Sequence, residues 1–284
     1  MRVTHEIHEL VAACDAARAS GQRVAVVPTM GALHEGHLRL IDAARDHGEF
    51  VVVTVFVNPL QFGEGEDLGR YPRTLAADVA ASEERGASLV FAPETSAMYP
   101  SGYQTSVTVD TLARPLEGHY RPGHFEGVTT VVSKLFNLTQ PCSAVFGQKD
   151  FQQLQLVRRL ARDLDFRVTV VAHPIVREAD GLAMSSRNRY LDGDARERAV
   201  AIVKGLRATE RAWTRGERDA DVLLSLAREP VGKAFDRVDY IALADPETFE
   251  LLDGSLQERT QETALLVAAH LGTTRLIDNL VLQP

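Results

Sequence analysis

Along the first 175 residues, short runs of β-branched and aromatic residues alternate with stretches whose apolar positions recur every three or four residues. Val24–Val27, Val51–Val57, Leu89–Phe91, Ala144–Phe146 and Val168–Val171 are nearly unbroken apolar runs of strand length. The spacing between them predicts helices over Gly36–Asp46, Thr74–Glu84, Gly127–Leu138 and Asp150–Asp165. Strands apolar on both faces belong to a parallel sheet with helices on each side. The expected class is therefore α/β. In such sheets ligands bind beyond the carboxyl ends of the strands, at the point where the winding reverses.

After Ile175 the texture changes. A polar loop, Arg177–Arg189, leads into one long helix over Asp192–Arg215 and a second over Ala220–Glu229. Three strands follow, at Val238–Leu243, Ala264–Leu271 and Arg275–Val281. Residues 1–175 and 176–284 thus read as a larger α/β domain and a smaller α+β domain. No internal repeat interrupts either.

Composition narrows the choice of partner. The 284 residues are 45% hydrophobic and 25% charged, ordinary globular values. The net charge is −8, and residues 1–175 carry 16 basic against 20 acidic side chains, so each domain holds −4. No basic face is hidden behind the average, which argues against a nucleic-acid partner. No apolar run approaches the roughly 18 residues of a membrane span. Cys14 and Cys142 lie too far apart for a zinc knuckle or a redox pair. The expectation is a soluble cytoplasmic protein with no membrane partner.

Candidate chemistry follows the strands. Pro28-Thr29-Met30-Gly31-Ala32-Leu33-His34-Glu35-Gly36-His37 comes directly after the first. His34 and His37 are three apart at a helix mouth, where free N–H groups and the positive dipole end favour phosphate. His-Glu-Gly-His is one residue short of a metalloprotease His-Glu-x-x-His. Asn58 and Gln61 follow the second strand with amides that both donate and accept. Gly63-Glu64-Gly65-Glu66-Asp67-Leu68 is not a dinucleotide fingerprint, because Leu68 holds the last position and no tight strand-to-helix step precedes it. Gly147-Gln148-Lys149-Asp150-Phe151-Gln152-Gln153 again joins strand to helix, without the glycines of a P-loop. Met184-Ser185-Ser186-Arg187-Asn188 brings two hydroxyls and a guanidinium suited to polyphosphate oxygens.

Together, the histidine motif and the Met-Ser-Ser-Arg loop resemble the nucleotide motifs of class I aminoacyl-tRNA synthetases and related nucleotidylyltransferases. Over nearly the whole chain the closer resemblance is to the pantothenate synthetase family, the pantoate–β-alanine ligases. It runs through residues 28–37, 58–62, Tyr71-Pro72-Arg73-Thr74, His124-Phe125-Glu126-Gly127-Val128, 146–153, 180–188 and Leu271–Asn279. That resemblance implies a Rossmann-like N-terminal domain with the C-terminal domain as a lid. The implied reaction is ATP-dependent condensation of pantoate with β-alanine through pantoyl adenylate, releasing AMP and pyrophosphate.

The same resemblance implies the site. Asn58, Gln61 and Gln153 would meet pantoate. Met30, Gly31, Ala32, Leu33, His34 and His37 would hold the nucleotide, with Gly147, Gln148, Asp150 and the Val176 backbone toward adenosine. Lys149, Ser185, Ser186 and Arg187 would take the polyphosphate, and Met184 would also line the nucleotide site. His34, His37, Lys149 and Arg187 are the implied catalytic groups. Mg²⁺ would bridge phosphates, with Asp78 assisting through water, and the working form would be a cytoplasmic homodimer. Two departures stand out: Ala183 holds the place where the synthetase-type loop usually begins with lysine, so its charge must come from Lys149 and Arg187, and Gln148 stands where glutamate is common in the family. The rival classes are an enzyme that transfers AMP to a nucleotide or phosphate acceptor, and a non-catalytic nucleotide-binding homologue.

Overall fold

The computed structural model describes residues 1–284 and divides into two compact units. The first comprises residues 1–148 and 152–174, the second 149–151 and 175–284. No helix is long and apolar enough to cross a membrane.

The first unit runs β1 (Arg2–Thr4), α1 (Ile7–Ala19), β2 (Val24–Thr29), α2 (Glu35–His47), β3 (Phe50–Val55), α3 (Leu75–Glu84) and β4 (Leu89–Phe91). It continues with two single turns, α4 (Thr95–Met98) and α5 (Glu117–Tyr120), then α6 (His124–Thr139), β5 (Cys142–Gly147), α7 (Phe151–Asp163) and β6 (Val168–His173). The six strands form one sheet in the order β1-β4-β3-β2-β5-β6, every pair parallel. Alternate residues of the central strands serve two cores. Val26 and Val52 pack with Leu10, Phe136 and Leu154 of α1, α6 and α7. Ala25, Val27, Val51 and Val53 pack with Leu40, Ile41 and Ala44 of α2. Burial on both faces is why the strands are continuously apolar. From β2 the chain winds outward through β3 and β4, and β5 and β6 add on the other side. The winding reverses between β2 and β5, and their carboxyl ends open where the histidine motif and Gly147 lie.

The N-terminal β1 and α1 carry little signal in the sequence. The buried stripe of α1 is Leu10, Cys14 and Ala17, and two of those are small.

The second unit contains α8 (Gly193–Ala199), α9 (Ala201–Thr214), α10 (Ala220–Ala234) and an antiparallel sheet, β7 (Arg237–Ala244), β8 (Thr263–Leu271) and β9 (Thr274–Leu282). The long helix expected over 192–215 is broken at Val200. Ala199, Ala201 and Ile202 are all buried around that joint, a pattern that no single straight helix face supplies. Helix α10 outruns its expected end at Glu229 and carries Pro230 inside it, because Val231 is needed in the core. Ile202, Leu206 and Trp213 of α9 pack with Leu223 and Ala227 of α10 over Leu265, Val267 and Ala269 of β8.

Candidate active site

The loop after β2 is shaped by hydrogen bonds from below. The Thr29 hydroxyl donates to the Thr54 carbonyl (2.6 Å) and accepts from the Gly31 N–H (3.1 Å). Gly31 has φ +81°, and a Cβ there would lie 3.0 Å from both Asp78 Oδ2 and Val55 Cγ1. Ala32 also has positive φ, at +52°. What holds this conformation is the carboxylate of Asp78, which accepts the N–H groups of Ala32 (3.0 Å) and Leu33 (2.8 Å). Its oxygens also receive the Thr74 hydroxyl, and the residue is buried. Asp78, expected to assist a metal through water, thus shapes the loop of the histidine motif.

That loop delivers the two histidines to the mouth of α2. His34 is the N-cap residue, and its Nδ1 accepts the Gly36 N–H (3.1 Å). The His34 N–H donates in turn to His37 Nδ1 (3.4 Å). A capping box made of imidazoles satisfies helix-end donors as the serine–glutamate version does. It has a chemical consequence. Each Nδ1 is an acceptor, so each neutral ring carries its proton on Nε2. The rings lie 4.1 Å apart, tilted by 32°. Glu35 between them turns away to Arg39 (2.8 Å) and Arg85 (2.9 Å).

Gln61 sits in a short 3₁₀ turn, Pro59–Gln61, after β3. Its Nε2 donates to Met30 Sδ (3.0 Å), a weak acceptor that a substrate oxygen would outcompete. Its Oε1 accepts from Asn58 Nδ2 (3.1 Å), which fixes the amide with Nε2 toward Met30. Asn58 is 1% exposed and fully engaged: Nδ2 also reaches the Gly127 carbonyl, while Oδ1 accepts from the Leu60 N–H and the Tyr99 hydroxyl. Asn58, expected to meet substrate, stands behind Gln61 and orients its amide. Gln152 is likewise committed inward, to Glu117 N–H and the carbonyls of Leu112 and Pro115. Gln153 stays half-buried on the same helix.

Sequence reasoning missed the group that backs this turn. His124 is buried and donates from Nδ1 to the Gln61 carbonyl (2.8 Å), while Nε2 accepts from Arg121 (3.0 Å). Arg121 closes the arrangement with two bonds to Glu66 (2.7 and 2.8 Å). Burial, reinforced by the Arg121 charge, pushes the His124 pKa down to about 4, so the ring is neutral. His124 opens the motif that runs to Val128, but its bond partner is 63 residues away. Only a contact could assign its part.

In the second unit Lys149 lies with β9, where Asn279 Nδ2 donates to the Lys149 carbonyl (2.9 Å). Asp278 beside it forms a two-bonded pair with Arg177 (2.6 and 3.0 Å). The Met184 N–H donates to the Val176 carbonyl (2.9 Å), so these two residues face each other in a tight hairpin. Ser185 caps the 3₁₀ turn Ser186–Tyr190 by accepting the Arg187 N–H (3.2 Å). Met184, Ser185, Ser186 and Arg187 are all half-buried, whereas Ala183 is buried.

Comparison with known proteins decides the family. The family described as pantoate-beta-alanine ligase matches residues 2–281. The chain belongs to that family. Pantothenate synthetase 1 of Bradyrhizobium diazoefficiens is 49% identical over 283 residues, covering 100% of this chain and 99% of the relative. Pantothenate synthetase of Syntrophotalea carbinolica is 48% identical over 280 residues, 98% of each. Among solved structures, pantothenate synthetase from Thermus thermophilus superposes with a TM-score of 0.93 at 45% identity, covering 100% of both chains. The Francisella tularensis pantoate-beta-alanine ligase, complexed with beta-gamma ATP and beta-alanine, gives 0.82 at 30% identity over 99% of this chain and 97% of that one.

Proposed function

We propose that this ligase joins pantoate to β-alanine at the expense of ATP, by way of pantoyl adenylate, releasing AMP and pyrophosphate. The observation that carries the reading is the pair of imidazoles held at the positive end of α2 with each Nδ1 taken by a backbone N–H. Two fixed donors there suit an α-phosphoryl group gaining negative charge as a carboxylate attacks it. Gln61, its amide oriented by Asn58 and its N–H resting on sulfur, is proposed to read the pantoate carboxylate or hydroxyls together with Gln153. The loop 30–33, with Gly147, Gln148, Asp150 and the Val176 backbone, is proposed to hold the nucleoside side of ATP. Lys149, Ser185, Ser186 and Arg187 are proposed for the polyphosphate, with Met184 also lining the nucleotide site. β-Alanine as the amine is supported by the Francisella relative, whose structure is a complex with beta-alanine.

The chemistry needs little covalent help from the protein. The pantoate carboxylate oxygen forms a bond to the α-phosphorus as the bond to pyrophosphate breaks. The amine then attacks the acyl carbon and AMP departs with the bonding pair. What the side chains supply is orientation and charge stabilisation. Mg²⁺ is proposed to arrive with ATP on phosphate oxygens. The chain groups no three histidine, cysteine or carboxylate side chains that could cage a metal, and Asp78 is proposed to assist through water. A cytoplasmic homodimer is the proposed working form.

A coupled assay for AMP tests this directly. Release is expected only when pantoate and β-alanine are both supplied with ATP. AMP retained on a phosphate acceptor would identify an adenylyl transferase instead, and no turnover with any acid would identify a binding homologue.

A further inference from the structure

The turn that carries Ser185, Ser186 and Arg187 is not a simple tether, and its order has an identifiable source. Residues 176–184 form a hairpin: Glu178 N–H donates to Leu182, Met184 N–H to Val176, and Arg177 bridges Ala183. At its tip Gly181 takes φ +96°. The carboxylate of Glu178 is the joint between this hairpin and the following turn. One oxygen accepts Asn188 Nδ2 (2.7 Å) and the other accepts Arg196 of α8 (2.6 Å). The second arm of Arg196 holds Asp180 (2.6 Å), and Asn188 Nδ2 also reaches the Ala183 carbonyl (3.1 Å). Asn188 directly follows Arg187, so the path of the turn is set by Glu178.

We propose that Arg196 and Glu178 are positioning residues that hold the Ser185–Arg187 turn in its phosphate-reading shape. The inference rests on the reading that this turn takes polyphosphate. Two physical arguments support it. First, the guanidinium is planar and forks between two carboxylates, which fixes an angle as well as a distance. Second, Glu178 and Asp180 bring two negative charges near a polyphosphate, and Arg196 offsets one of them. All three partners are partly exposed, at 28%, 30% and 42%, so little global stability is expected from the pairs. Their effect falls on orientation.

Arg196→Ala is expected to reduce kcat/KM for ATP by about 10- to 100-fold, the scale of a displaced binding group, with KM for pantoate unchanged. Arg196→Lys should recover only part, because an ammonium cannot span both carboxylates. Glu178→Gln keeps an acceptor for Asn188 but loses the ion pair with Arg196 and one repelling charge, so it should act in the same direction and more weakly. The double variant Glu178→Gln/Arg196→Ala should be no worse than Arg196→Ala, since the Glu178–Arg196 pair is already lost in that variant. If Arg196→Ala melts well below the parent, Arg196→Lys and Glu178→Gln carry the test. The inference is overturned by unchanged ATP kinetics in these variants, by strictly additive losses, or by KM values for ATP and pantoate rising together. Arg187→Ala separates the two layers. If it leaves ATP kinetics untouched, the phosphate reading of the turn fails. If it weakens ATP while Arg196→Ala and Glu178→Gln do not, only the positioning role fails.

Discussion

The two imidazoles at the mouth of α2 show how a capping interaction becomes a chemical device. Both Nδ1 atoms accept backbone N–H groups, so the helix end selects the tautomer that carries its proton on Nε2. His37→Ala should therefore lower kcat by about 100- to 1,000-fold, the usual loss for one transition-state donor, with a much smaller change in KM for ATP. His37→Gln, whose amide nitrogen reaches a similar point, should restore part of that. Steady-state kinetics on the two variants checks both statements. His124 is the second telling residue. It is neutral in the folded protein down to a pKa of about 4, against an ordinary 6.5 in the unfolded chain. Between these values the unfolded chain binds the extra proton, so stability contributed by His124 is complete above pH 6.5 and is lost as pH falls toward 4. The full effect is up to about 3 kcal/mol. Melting curves across that window should be flatter for His124→Phe than for the parent, at the cost of a lower plateau near neutral pH.

At the scale of elements, α6 and the 3₁₀ turn at Gln61 meet backbone to backbone. A Cβ on Gly127 would collide with the Leu60 carbonyl, and both are backbone positions with little room to move. Gly127→Ala should destabilise by about 1–3 kcal/mol through overpacking. It should also raise KM for pantoate, because Gln61 would be carried off with its turn, while KM for ATP stays close to the parent value. Denaturant melts and paired KM measurements would show whether the two effects travel together. Gly205 does comparable work in the second unit, where a Cβ would sit 2.9 Å from the Ala227 carbonyl and hold α9 off α10. Each glycine is legible in the sequence, but its reason lies on another element.

For the whole molecule the decisive question is whether the acid is activated before the amine is needed. On the proposed reading, pantoate is held by amides and activated at the α-phosphoryl group, and neither step uses β-alanine. ATP and pantoate alone should therefore exchange labelled pyrophosphate into ATP. Exchange that required β-alanine would point to a single concerted step.

The strands, most of the helices, the two-part organisation and the histidine and Met-Ser-Ser-Arg motifs are written in contiguous residues. A doubly covered strand must be apolar throughout, and a helix mouth that binds phosphate needs its donors within one turn. Those properties are local, so the amino-acid sequence determined them by itself. The small-residue stripe of α1 and the break at Val200 were hidden because their burial depends on what packs against them. The same holds for the site's support. Asp78 shapes a loop 45 and 46 residues before it, Asn58 orients Gln61 while bonded to Tyr99 and Gly127, and His124 grips a carbonyl 63 residues away. A polar side chain looks the same in sequence whether it faces a ligand or satisfies a buried N–H. Only the tertiary structure, by showing which hydrogen bonds are already spent, decided between the two.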